Sequence, residues 1–97
     1  MTTTEGNKII AEFMGYEKVH EDLYYHSNWN LLMPVVEKIE TLDYEFLVNS
    51  QQIGFGEYMF AGEFNWLVEI NREEITLIQS IYDAVIQFIQ WYNQNKK

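Results

Sequence analysis

The residues predict an α+β fold: a three-stranded, at most four-stranded, antiparallel sheet packed with a long C-terminal helix, a proline-containing central helix and a short N-terminal helix. Three observations carry this expectation. Apolar residues recur at helical spacing in "WNLLMPVVEKIETL" and in "ITLIQSIYDAVIQFIQWY". They alternate with polar ones in "DYEFLVNS" and, more loosely, in "EFNWLVEI". The strand-like segments are joined by short stretches rich in Gly, Asn, Ser and Gln, which favours an antiparallel meander. At 97 residues, 47% apolar and 16% aromatic, the chain suits one domain spanning 1–97 with a dense core.

The elements follow in order. In "TTTEGNKIIAEFMG", Ile9, Ile10, Phe13 and Met14 form a narrow apolar stripe; a Thr or Asn caps the start and Gly15 ends the helix in the left-handed conformation. "YEKVHEDLYYH" reads as a loop with a short extended piece. In the central helix, Leu31, Leu32, Val35, Val36, Ile39 and Leu42 face inward, and Glu37, Lys38, Glu40 and Thr41 face out. Ser27 or, alternatively, Asn30 caps it. With Ser27 the only proline, Pro34, falls in the second turn and kinks the helix; with Asn30 it falls at the end of the first, at smaller cost. Either placement makes the proline architectural.

"DYEFLVNS" places Tyr44, Phe46 and Val48 on one strand face and Glu45, Leu47 and Asn49 on the other. "NSQQ" turns into "QIGFGEYMFAG", where Gly54 and Gly56 permit a bulge or close backbone approach. Gly62 and Glu63 turn again into "EFNWLVEI", with Phe64, Trp66 and Val68 sharing a face directed at the core. Asn71 then caps the last helix, with Glu74 completing a capping box. Ile75, Ile78, Ile81, Tyr82, Val85, Ile89 and Tyr92 form its stripe, widened by Leu77, Phe88 and Trp91. Phe46, Trp66, Ile81, Val85 and Ile89 are expected to be nearly fully buried.

Composition excludes several functions. Fifteen acids against six bases give a formal net charge of −9, the wrong sign for a nucleic-acid backbone or an anionic membrane surface. A basic partner would be steered toward such a chain; charge that merely keeps a surface soluble is the plainer reading. Without cysteine there is no disulfide, thiolate metal site or cysteine nucleophile. "MTTTEGNKII" lacks an apolar signal core, and no segment approaches the ~20 apolar residues of a membrane span, so a cytoplasmic location is expected.

Chemistry-bearing motifs are scarce. In "HEDLYYH", His20 and His26 would lie ~240° apart on a helix and ~20 Å apart on a strand, so they make no chelate, and His20 with Asp22 is only a pair. "GFGEYMFAG" has neither the glycine spacing nor the strand-to-helix context of a dinucleotide loop. Glu37/Glu40 and Glu73/Glu74 occupy helix faces or a first turn, where solvation and the helix dipole explain them. Ser27 beside His26 is more simply a cap than a nucleophile. No catalytic, cofactor or metal residue is assigned, and a non-enzymatic protein is expected.

Two features point to binding. Trp29, at the start of the central helix, is the aromatic best placed to remain exposed as an interface anchor. From Glu37 to Glu74 nine acids face Lys38 and Arg72 alone, and Glu45, Glu57, Glu63 and Glu69 fall where alternation puts them on the sheet's solvent side or its edges. A carboxylate array of this kind can stand in for phosphates in a basic groove.

Three stretches, "NKIIAEFMGYE", "YHSNWNLLMPVVEKIETLDYEF" and "SIYDAVIQFIQWYNQNK", resemble in order the phage ABA sandwich domain family of small Bacteroidetes phage and prophage proteins. The resemblance covers roughly half the chain, and W-x-x-L-M-P-V-V-E-K-I-E is its most specific element. It implies strands sandwiched by helices, a phage origin, and structural roles for Trp29, Leu32, Met33, Pro34, Val35, Val36 and Ile39. Small acidic phage proteins commonly disable host proteins by contact, anti-CRISPR proteins among them. The resemblance with the charge thus implies an inhibitor of a host defence protein, foremost an RNA-guided nuclease, acting in the host cytoplasm by protein–protein contact without binding nucleic acid itself. A structural or homo-oligomeric phage accessory domain is the alternative.

Overall fold

Local chemistry at each element end sets the architecture. The computed structural model describes residues 2–16, 24–59, 62–71 and 75–95. Helix α1 (Thr3–Phe13) starts where the Thr2 side chain accepts the Glu5 amide at 3.2 Å. It ends at Gly15, whose φ of +91° is a left-handed conformation open to glycine at little cost. The extended piece expected in "YEKVHEDLYYH" falls mostly on residues 17–23, outside the described ones.

Helix α2 (Trp29–Glu40) is capped by Asn28, neither Ser27 nor Asn30. Asn28 has extended backbone, and its side-chain oxygen accepts the Asn30 amide at 2.9 Å. Ser27 instead closes a turn, its amide bonded to the Tyr24 carbonyl. Pro34 therefore sits in the second turn and removes the donor that the Asn30 carbonyl would have used. Asn30 and Pro34 are both exposed, so water can serve that carbonyl, while Leu32, Val35, Val36 and Ile39 are buried. Restoring the donor without touching the core, Pro34→Ala is expected to raise the denaturation midpoint. A loss above about 2 kcal/mol would show that the proline's own conformation is required.

The sheet is an antiparallel meander in the order β1-β2-β3, with β1 at Glu45–Val48, β2 at Gln52–Tyr58 and β3 at Phe64–Asn71. Asp43, at φ +71°, redirects the chain out of α2. Asn49 closes the first hairpin, its side-chain oxygen accepting the Gln51 and Gln52 amides at 2.9 and 2.7 Å. The second turns through Gly62, at φ +83°.

Helix α3 (Leu77–Asn95) begins six residues past Asn71, contrary to expectation. Asn71 is still in the sheet, paired with Gln52. Thr76 takes the capping role, its hydroxyl accepting the Gln79 amide at 3.2 Å. Glu74, expected to complete a box, lies outside the described residues. The helix packs on β2, β3, α1 and α2 together, which is why Ala84 and Ile86 are buried besides the expected stripe; Ile75 and Leu77, ahead of that contact, stay exposed.

One core holds the layers together. Leu32, Val35 and Ile39 from α2, Ile53 and Phe55 from β2, and Val85, Phe88 and Ile89 from α3 are fully buried in it. Phe88 is its aromatic hub, with ring centroids 5.1 Å from Tyr44 and 5.4 Å from Phe55. Of the residues expected inside, Ile81, Val85 and Ile89 are buried, and Phe46 is only partly buried but packs on the core. Trp66 is not there. Among the described residues the helices pack on the side of the sheet that carries Ile53, Phe55 and Val68.

Candidate interaction surface

The uncovered face is built by a single irregularity. Phe55 pairs with Val68, and the next residue, Gly56, pairs with Trp66, which leaves Leu67 without a partner across the ladder. This bulge reverses the inside–outside parity of β3. Beyond it, Val68 and Ile70 share the helix-facing side with Phe55 and Ile53; before it, Trp66 and Phe64 share the opposite side with Gly54, Gly56 and Tyr58. The expectation that Phe64, Trp66 and Val68 point the same way fails for this reason, since simple alternation cannot register an extra residue.

On the outer side the rings pack against the glycines. A Cβ built on Gly54 would stand 3.1 Å from a Trp66 ring atom, and one on Gly56 would stand 2.9 Å from Phe64 Cε2. Both would also overlap backbone, at the Val68 and Asn65 carbonyl oxygens respectively. Gly54 and Gly56 are consequently buried, although among the described residues no helix packs on this side. The rings form an edge-to-face ladder: Tyr58 to Phe64 at 5.1 Å and Phe64 to Trp66 at 4.9 Å. Tyr58 is 59% exposed, and Phe64, Trp66 and Leu47 are half-buried.

Two of the expected carboxylates border this floor. Glu45 pairs with Gly56, and Glu69 pairs with Gly54, so both belong to the outer side, at diagonal corners of the glycine pair. Glu69 accepts a hydrogen bond from the Gln52 side-chain amide. Glu63 lies in the hairpin turn at the Tyr58–Phe64 end, where its carbonyl accepts the Met59 amide at 2.6 Å. Glu57 pairs with Asn65 and has the opposite parity. All four are exposed. Trp29 is 42% exposed, but α2 belongs to the helical layer, on the other side of the sheet from Glu45 and Glu69.

Leu47, Tyr58, Phe64 and Trp66 are the surface residues that sequence reasoning missed. The available signal was G-x-G in one strand followed by aromatics two apart in the next, a pattern in which large rings cover residues without side chains.

Among the described residues no group of three or more His, Asp or Glu is placed to hold a metal ion, and no helix is long and apolar enough to cross a membrane. His20 and Asp22 lie outside the described residues; His26 directs Nδ1 at the Asn7 side-chain amide, 3.2 Å away. A groove of about 420 Å³ between the α1 start and α3 is lined by Thr2, Thr3, Gln79, Tyr82 and Asp83 among others. There burial, reinforced by Asp83, pushes the Tyr82 phenol up to about 12, and its hydroxyl donates to the Thr3 carbonyl at 3.2 Å. A phenol held neutral in a structural bond is no acid–base catalyst near neutrality.

No protein-family model, curated protein or solved structure matches the chain.

Proposed function

We propose that this protein is a non-enzymatic binding module that docks a basic host protein on its acid-bordered outer sheet face and inhibits it by occupying that surface. The observation that carries the reading is the aromatic floor on Gly54 and Gly56, left uncovered between Glu45 and Glu69. Isolated exposed apolar residues need no explanation, whereas a contiguous aromatic patch with a polar rim has the anatomy of a protein interface. The net charge of −9 selects basic partners and repels nucleic acid and anionic membrane.

The phage-like motif supports a finer version: the partner is a host defence protein, foremost an RNA-guided nuclease whose basic channel suits a carboxylate array. The alternative, a structural or homo-oligomeric accessory domain, is favoured by one observation, that a half-buried aromatic patch is also what self-association uses. Against it, a second copy carries the same net charge of −9 and presents the same Glu45 and Glu69 to the contact.

Capture of partners from a host lysate, followed by association kinetics at two salt concentrations, tests the proposal. The joint change of Glu45 and Glu69 to Lys is expected to lower the association rate about tenfold or more at low salt and to leave folding intact; raised salt should narrow the difference. If Trp29 is instead the anchor, salt will matter little and Trp29→Ala will mainly raise the dissociation rate. A stable homo-oligomer with no host partner would replace this reading with the accessory-domain one.

A further inference from the structure

Resting on the reading of the outer face as the docking surface, we infer that the group it recognises is arginine, presented by a basic segment of the partner, in preference to lysine. The floor and its rim supply two complementary elements at once. Trp66 and Phe64 form a ring surface over Gly54 and Gly56, and Glu45 and Glu69 stand at its diagonal corners. A guanidinium is planar and weakly hydrated, stacks on aromatic faces and binds carboxylates through a two-pronged donor fork. An ammonium is a compact, strongly hydrated point charge, which a half-buried ring surface would have to strip of water.

The layout of the rows fits this division. Across the sheet, Glu45, Gly56 and Trp66 form one row, and Leu47, Gly54 and Glu69 form the next. Each row thus runs from a carboxylate across a glycine to an apolar group. The central positions carry no side chain of their own, so a flat group stacked on one of these rings meets nothing that projects from Gly54 or Gly56. An arginine stem crossing a row would rest on apolar surface while its head reached a carboxylate at the rim. Glu69 is oriented by the Gln52 amide, which leaves its remaining lone pairs for an incoming donor. The charge balance of −9 argues against a second copy or an anionic polymer as occupant.

The test uses two probes of equal length and charge, nona-arginine and nona-lysine, titrated into the full chain and followed by backbone amide shifts. The expected result is that nona-arginine binds about tenfold tighter. Its shifts should centre on Gly54, Gly56 and Trp66. Trp66→Leu should bring the ratio to about twofold or less while nona-lysine binding changes little. Because Trp66→Leu could loosen the sheet, the double variant Glu45→Gln, Glu69→Gln is measured as well; it keeps the floor and is expected to weaken both peptides. Equal affinities of the two peptides at this face would overturn the arginine inference and leave the docking surface standing. Shifts centred on Trp29 and α2, or absence of binding to the outer face, would overturn both.

Discussion

Phe88→Ala is expected to destabilise the protein by about 3–5 kcal/mol, a large share of the about 5–15 kcal/mol that holds a domain of this size folded. Phe88 is fully buried and joins α3 to the sheet. Its ring meets Tyr44 ahead of β1, Phe55 in β2, and Trp91 and Tyr92 one turn further along α3, with centroids between 5.1 and 5.8 Å away. Truncation forfeits the transfer free energy of the ring and opens a cavity that strands and helix cannot close together, because each is held by other contacts. Urea denaturation followed by far-UV circular dichroism measures the cost. A loss below about 1 kcal/mol would mean that α3 does not pack on β2 where it is placed.

Gly54→Val is expected to cost about 3 kcal/mol or more, although the site lies on the face away from the core. The obstacle is backbone: a Cβ at Gly54 overlaps the Val68 carbonyl oxygen, so the β2–β3 ladder must separate locally or Val68 must leave the core. The branched side chain would also lift Trp66 off the floor. Valine otherwise suits strands, so propensity alone predicts a gain. Thermal denaturation separates the accounts: a large fall in midpoint supports the close approach, and a rise would show that the outer face has room above Gly54.

Much of the fold was legible because the periodic signals were strong and the segments short. Helical spacing found α2 and α3, and alternation with turn chemistry found three strands in the right order. The misreadings share a cause, namely side-chain chemistry competing at neighbouring positions. Ser27, Asn28 and Asn30 can all cap a helix, and only the backbone geometry at Asn28 decides among them. Asn71 looks like a cap but is held in the ladder by Gln52, and Thr76 caps instead. The surface was legible in part. Glu45 and Glu69 do share the solvent side, as alternation predicts, whereas Glu57 and Glu63 do not join them. The aromatic floor was hidden by the bulge at Leu67, because Phe64, Trp66, Val68 and Ile70 alternate with Glu63, Asn65 and Glu69 and read as one continuous apolar face, in which a one-residue shift leaves no mark.

Amide hydrogen exchange of the chain with and without its captured partner tests most directly whether the outer sheet face is the binding surface. The predicted result is added protection in β2 and β3, greatest around Gly54, Gly56 and Trp66, with the start of α2 at Trp29 unchanged. Protection confined to Trp29 and the helical layer, with β2 and β3 exchanging as in the free protein, would contradict it.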